Sequence, residues 1–240
     1  MASAWRPWRI MILAVLAGLA ATLLYLFGLL VMVIWVSIKD PSGSSVMRET
    51  LAELRIDNPD AHLVYQWVPY ERISSNLKRA VVASEDSTFF DHSGVDWESI
   101  RKAWEYNQRQ AEKGTDKRRG GSTITQQLAK NLFLSNSRSY LRKAKELVIT
   151  YMIELVMSKE RILELYLNLA QWGTNVFGAE AAAQHYYKTS AHALGASQAA
   201  RLAAMLPNPA FYDTHGATNY LNARSRTLQQ RMRLIELPKQ

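Results

Sequence analysis

From Ile10 to Ile38 the chain carries no charged side chain. As a helix rising 1.5 Å per residue, that stretch is about 43 Å long, against a bilayer hydrocarbon core of roughly 30 Å. A cleaved signal peptide has a short apolar region of about 7–15 residues before a small-residue cleavage site. Here Ala20-Ala21 is followed by a second long apolar run, so cleavage there would leave a hydrophobic tail. The expectation is an uncleaved membrane anchor, with Trp5, Trp8 and Trp35 near its ends, where aromatic side chains favour the interface. Arg6 and Arg9 precede the run, no acid occurs before Asp40, and Lys39 is followed at once by that aspartate. The positive-inside bias therefore puts the N-terminus in the cytoplasm and residues 39–240 outside.

Composition narrows the rest. The chain has 240 residues, 48% of them apolar and 21% charged, a globular balance. That length suits one domain of about 200 residues behind the anchor and leaves no room for a second catalytic module. There is no cysteine, which excludes disulfides, thiolate metal sites, iron–sulfur clusters and cysteine nucleophiles. Lys and Arg number 29 against 21 Asp and Glu, a net charge of +8. Such an excess favours an anionic lipid surface or a phosphate-bearing substrate, and an extracytoplasmic domain would rarely meet nucleic acid. The boundaries expected are residues 1–9 cytoplasmic, 10–38 spanning, 39–64 a linker, and 65–240 the catalytic domain.

Within that domain the pattern is mainly α. A short strand is expected over His62–Val68, and Ser74 or Ser75 can cap a helix through Ser84. Further helices are expected over residues 96–112, from Thr123 to about Leu134, and over 140–156, 159–169, 179–188, 197–206 and 219–236. Thr123-Ile-Thr-Gln126 has capping-box spacing, Ser139 and Ser158 are candidate N-caps, and Pro207-Asn-Pro209 is expected to stop the penultimate helix. Lys113–Gly121 is a basic, glycine-containing stretch.

Three segments carry chemistry. Ser84–Gly94 places Glu85, Asp86, Asp91 and His92 among Phe89 and Phe90. A carboxylate part-buried beside rings can act as an acid or base near neutral pH, although the same residues also suit a helix end with solvated acids. Gly120–Phe133 puts two glycines before a helix on which Thr123, Gln126, Gln127 and Lys130 share a face opposite Ile124, Leu128 and Leu132. Free N–H groups and a lysine suit an anion, yet the P-loop spacing is absent and an ordinary capped helix fits equally. Tyr140–Glu154 sets Arg142 and Lys143 around Glu146, with Ala144, Val148, Tyr151 and Leu155 as the expected buried stripe. Alone, it reads as a salt-bridged surface helix.

In this order the segments resemble the bacterial peptidoglycan glycosyltransferases: Glu85-Asp86-x-x-Phe89-x-x-His92-x-Gly94, then Gly121-Ser-Thr-Ile-Thr-Gln-Gln-Leu-Ala-Lys130-Asn, then Arg142-Lys143-x-x-Glu146. Arg161–Asn168 with Gly173, and Ala200–Pro209, agree as well. Length and the single anchor are similar to the monofunctional, biosynthetic members. The resemblance implies a lysozyme-like, mainly α-helical fold and polymerisation of lipid II. In that reaction the 4-hydroxyl of lipid II attacks the sugar C1 that carries a polyprenyl diphosphate, with inversion, to make a β-1,4 link. By resemblance Glu85 is the base and Glu146 the second essential glutamate. Asp86, Phe89, His92, Ser122, Thr123, Gln126, Gln127, Lys130, Arg142 and Lys143 are the residues expected to bind substrate. Glu146 is expected to orient the cations, or a divalent ion such as Mg2+ or Mn2+, with no cofactor firmly required. The expected partners are lipid II, the growing lipid-linked glycan chain, the bilayer of the bacterial inner membrane and proteins of cell-wall synthesis or division. The family usually keeps an apolar patch for the lipid tails, to which Trp97, Trp104 and Tyr106 are candidate contributors, although core packing suits them equally.

Two rivals differ in what they demand. A lysozyme-like hydrolase could use one glutamate but would not need the Lys130/Arg142/Lys143 cluster, because its leaving group is a sugar. A non-enzymatic, membrane-anchored scaffold would tolerate the loss of Glu85. Ser75-Asn-Leu-Lys78 and Lys188-Thr-Ser190 superficially fit penicillin-binding transpeptidases, but no Ser-Asp-Asn lies between them. The five histidines show no zinc-type spacing.

Overall fold

Two units divide the chain, residues 1–39 and residues 40–240. The structure, a computed structural model, describes residues 5–238 except Lys117 and Arg138, with side chains from Trp8 onward. Lys117 of the basic stretch and the side chains of Trp5 and Arg6 therefore lie outside the described residues.

The first unit is one helix, α1 (Trp5–Ile38). Its segment Trp8–Ile38 has a mean hydropathy of 2.5 and is long and apolar enough to cross a membrane. The helix starts before Ile10 because Arg9 does not interrupt helical geometry; it only ends the apolar run.

The second unit opens with α2 (Ser45–Asp57), capped by the Ser44 hydroxyl on the Met47 N–H. Residues 39–64, read from sequence as a linker, thus include a helix that buries Val46, Met47 and Thr50 and packs on α5 (Ile124–Phe133). The strand expected over His62–Val68 shrinks to β1 (Val64–Tyr65), which pairs in parallel with β2 (Val176–Phe177). The reason lies in one side chain. Fully buried Asn168 accepts from the Val68 N–H at 3.0 Å and donates to the Val68 carbonyl at 2.9 Å, so that backbone needs no partner strand.

Two helical groups form the core. In one, α3 (Ser75–Glu85) packs on α9 (Ala196–Met205) and α11 (Asn219–Arg231). In the other, α5 packs on α6 (Tyr140–Val156) and α7 (Lys159–Leu169), whose Ile162, Leu163, Leu165, Tyr166 and Leu167 are all buried. α4 (Trp97–Glu112) is capped by Asp96, and alanine-rich α8 (Ala179–Tyr187) follows β2. Thr123 forms the expected capping box with Gln126, and Ser139 and Ser158 cap as expected. Ile124, Leu128 and Leu132 face the core.

Three points correct or add to the expectations. Pro207-Asn-Pro209 stops α9 at Met205 as expected, but a further helix, α10 (Pro209–His215), follows with Pro209 in its first turn, a position where its missing N–H has no cost. The last helix stops at Arg231 and tightens into a single 3-10 turn at Met232–Leu234. The third concerns α6. Ala144, Val148, Tyr151 and Leu155 face outward, Leu155 at 83% exposure, while Glu146, Ile149, Thr150 and Ile153 are buried. Both faces carry apolar residues at helical spacing, so periodicity alone cannot choose between them. The inner face is selected because Ile149 and Ile153 are buried along the helix that packs on α5, and because Thr125 bonds Glu154 at 2.6 Å.

Candidate active site

Where α3 ends, Asp86 turns away from the helix and its Oδ2 accepts the N–H of Ile124, at the start of α5, at 3.0 Å. A carboxylate at a helix N-terminus satisfies an orphan donor and meets the positive end of the dipole. His92 Nε2 sits 3.0 Å from Asp86 Oδ1. The Gly94 N–H donates to His92 Nδ1 at 3.1 Å, so Nε2 bears the proton that points at Asp86. Thr123 donates its hydroxyl to the Gly94 carbonyl at 2.6 Å, while its N–H goes to Gln126 Oε1 at 3.0 Å. Gly94 has φ +93°, and a Cβ there would lie 2.8 Å from Thr150 Cγ2, so only glycine fits.

The residues expected to bind substrate stand in this frame in different ways. Asp86, Thr123 and Gln126 are buried and engaged with one another or with backbone, and His92 is tied to Asp86 and Gly94. Phe89 has no exposed surface: its ring packs edge-on against Phe90 and His92, with the Lys159 ammonium 4.6 Å from its centroid. Phe89 holds the turn rather than offering a face to a ligand.

Glu85, the last residue of α3, is only part-buried. Gln127 Nε2 donates to its Oε2 at 3.1 Å and the Ser84 hydroxyl to its Oε1 at 2.9 Å. Gln127 is oriented in turn by Tyr166, whose hydroxyl donates to Gln127 Oε1 at 3.0 Å. Burial, with Glu85 and Asp86 nearby, raises the Tyr166 hydroxyl well above its ordinary pKa, so it remains a donor. The neighbours of Glu85 are thus neutral donors that suit an ionised oxygen without cancelling its charge.

One turn further along α5 the surroundings change sign. Glu146 is 3% exposed, and it takes Arg142 Nη1 at 2.7 Å on one oxygen and Lys143 Nζ on the other. Lys143 also reaches the exposed Ser122 hydroxyl at 3.3 Å. Lys130 shares this field: burial lowers its pKa from the ordinary lysine value, Arg142 and Lys143 push the same way, and Glu146 opposes them. Its Nζ donates to Asn136 Oδ1 at 3.3 Å, and the Asn136 N–H donates to Glu49 of α2 at 2.9 Å. Three cations, Lys130, Arg142 and Lys143, stand against two carboxylates, Glu146 and Glu49, which leaves positive charge to spare for an anionic ligand.

A metal at Glu146 is not supported by this donor set. Both carboxylate oxygens already hold cations, and among the described residues no group of three or more His, Asp or Glu side chains converges. A cavity of about 280 Å³ lies beside Ser122 and Lys143, floored by Ile100 and Trp104 and edged by Asn107 and Gln126. Gly121 makes this passage close to α4, since a Cβ there would lie 2.9 Å from Ile100 Cα.

Residues 52–233 match the family described as Transglycosylase. The chain belongs to that family. It has the family's lysozyme-like, mainly helical domain behind one long apolar helix that fits a single-pass membrane anchor. Relatives named biosynthetic peptidoglycan transglycosylase are 64% identical over 230 residues in Bordetella pertussis, covering 96% of this chain and 95% of the relative. In Herminiimonas arsenicoxydans the identity is 59% over 204 residues, covering 85% and 86%, and in Chromobacterium violaceum 49% over 230 residues, covering 96% and 99%. A transferase of this family is favoured over a glycan-cleaving enzyme or an inert scaffold.

Sequence reasoning singled out the charged members of the site and Gln127, but missed Tyr166, which orients Gln127. Tyr166 lay within a segment that matched the family yet drew no chemical reading, because a tyrosine on a helix usually reads as core. Asn136 and Glu49 gave no signal at all, since their contact joins a loop to a helix that was expected to be linker.

Proposed function

We propose that this enzyme polymerises lipid II into glycan strands. The 4-hydroxyl oxygen of lipid II attacks C1 of the growing chain as the C1–O bond to polyprenyl diphosphate breaks, and the attacking hydroxyl gives its proton to Glu85. A hydroxyl is a weak nucleophile, so removal of its proton as the bond forms lowers the barrier. The departing diphosphate gathers negative charge, which Lys130, Arg142 and Lys143 neutralise, with Ser122 at the margin. Glu146 spaces Arg142 and Lys143 and is a positioning residue. Attack from the face opposite the leaving group inverts C1, which suits a base on α3 and a cation patch on α5 and α6, the two served by Gln127 and Lys130 on successive turns of α5; by analogy, inverting glycosidases separate their two carboxyl groups.

The observation that carries this reading is the division of labour along α5: Gln127 serves a carboxylate among neutral donors, and Lys130 serves a cluster of cations. A hydrolase expelling a sugar would have no use for the second half. The membrane supports the same reading, since donor and acceptor both hang from lipid and an anchored enzyme shares their surface. The enzyme sits in the bacterial inner membrane with its N-terminus cytoplasmic and residues 40–240 outside. The outward stripe of α6, with Leu141, Val148, Tyr151 and Leu155, and Trp97 and Trp104 of α4 supply exposed apolar surface of a kind that suits lipid tails. Tyr106 is part-buried and does not join it.

Purified protein given labelled lipid II is expected to make polymer, and Glu85→Gln, folded to the same melting temperature, is expected to make none. Digestion of preformed glycan instead of polymer, or full activity in that variant, would refute the proposal.

A further inference from the structure

Glu85 Oε2 is held from α5, but Oε1 is held by Ser84, and the Ser84 hydroxyl is itself engaged from the far end of the chain. Arg224 of α11 donates from Nη2 to Ser84 Oγ at 3.1 Å. Ser84 Oγ lies 2.9 Å from Glu85 Oε1 and 3.2 Å from the carbonyl oxygen of Ala203 in α9. A hydroxyl has one proton, so it serves only one of these two acceptors at a time. A guanidinium has no acceptor atom, so Arg224 can only donate, and it occupies one lone pair of Oγ. The Ser84 proton is left to choose between the carboxylate and the carbonyl.

Arg224 lies near the Tyr212 hydroxyl, whose pKa it lowers against the effect of burial, and it holds no carboxylate directly among the described residues. Among the described residues, the arginines in ion pairs are Arg142 and Arg161, not Arg224, and the Arg224 Nε is buried without an acceptor. The carboxylate its charge can serve most directly is Glu85, one hydroxyl away. A hydroxyl polarised by a cation on its oxygen becomes a better donor on its other side.

We infer that Arg224 and Ser84 form a positioning relay for the general base, in which the C-terminal helix sets both the direction and the donor strength of the hydroxyl that holds Glu85. The inference rests on the assignment of Glu85 as base. Before transfer, the Ser84 hydroxyl donates to the ionised carboxylate. Once Glu85 holds the proton taken from the attacking sugar, its own O–H donates to the second lone pair of Ser84 Oγ, and the hydroxyl turns to the Ala203 carbonyl. No covalent bond changes at Ser84, and the proton stays on Glu85. The base therefore keeps a hydrogen bond in both of its protonation states, with Arg224 fixed throughout.

The test uses the full-length protein with labelled lipid II, measuring kcat, KM and melting temperature for Ser84→Ala, Arg224→Gln, Arg224→Lys, the double variant Ser84→Ala/Arg224→Gln and Glu85→Gln. Loss of one hydrogen bond with a charged group should lower kcat roughly tenfold in Ser84→Ala and in Arg224→Gln, with KM and melting temperature close to wild type. The double variant should be no slower than Ser84→Ala, because Arg224 acts through that hydroxyl. Arg224→Lys should recover most of kcat, since an ammonium can also donate to Oγ. Losses that multiply in the double variant, an Arg224→Lys variant as slow as Arg224→Gln, or a fall in kcat that follows melting temperature would overturn the relay. An inactive Glu85→Gln beside an Arg224→Gln of wild-type kcat would sink the relay alone, whereas an active Glu85→Gln would sink the base assignment beneath it.

Discussion

Lys130 stands in the site as a cation that its surroundings disfavour. Burial lowers its pKa, and Arg142 and Lys143 add to that against the opposing Glu146 and Glu49, so as pH rises it loses its proton before a solvated lysine would. The positive patch therefore weakens on the alkaline side. An anionic diphosphate reverses the balance by favouring the charged form. The alkaline limb of kcat/KM, which reports the free enzyme, is expected to lie at lower pH than that of kcat, which reports the complex. Lys130→Arg should move the kcat/KM limb upward, because a guanidinium does not titrate in this range. Rate profiles from neutral to alkaline pH check both points, and an unmoved limb in Lys130→Arg would assign the titration to another group.

Helix α6 shows how an element is placed by its polar residues as much as by its apolar ones. Glu146 goes inward because Arg142 and Lys143 accompany it and satisfy both of its oxygens, and the apolar stripe is thereby turned outward. The bounds of this helix and of α7 were legible in sequence, because serine caps and the spacing between apolar residues are local signals. Which face is buried was not legible, since that depends on Thr125 and the rest of α5, close in space but distant along the chain. The same holds for the site. Glu85, Glu146 and their cations stand in a family pattern that can be read directly. Tyr166 reaches Gln127 across 39 residues and Arg224 reaches Ser84 across 140, contacts that leave no mark in local spacing. Replacing Leu141 and Leu155 together by Gln removes exposed apolar surface without adding charge. Thermal stability is expected to stay within about 0.5 kcal/mol of wild type, as for surface substitutions generally. Vesicle binding of the domain should fall, as sedimentation with liposomes would detect; unchanged binding with lowered stability would mean that the stripe packs on protein.

Across the whole molecule the chain divides into two compact units, and the helical groups around α3 and α5 both fall within residues 40–240. A fragment of residues 40–240 is therefore expected to fold and to keep its turnover when substrate and enzyme share detergent micelles. On lipid vesicles its rate should fall roughly tenfold or more, because the tether no longer concentrates it at the surface. Comparing the fragment with the full chain in both settings separates tethering from chemistry, and equal rates on vesicles would show that the anchor adds no local concentration. The outward ridge of α6 has a consequence for the fragment as well. With Leu141, Tyr151 and Leu155 facing water, copies of it will tend to adhere ridge to ridge, so the amount of amphiphile in the buffer will decide whether the preparation is monodisperse.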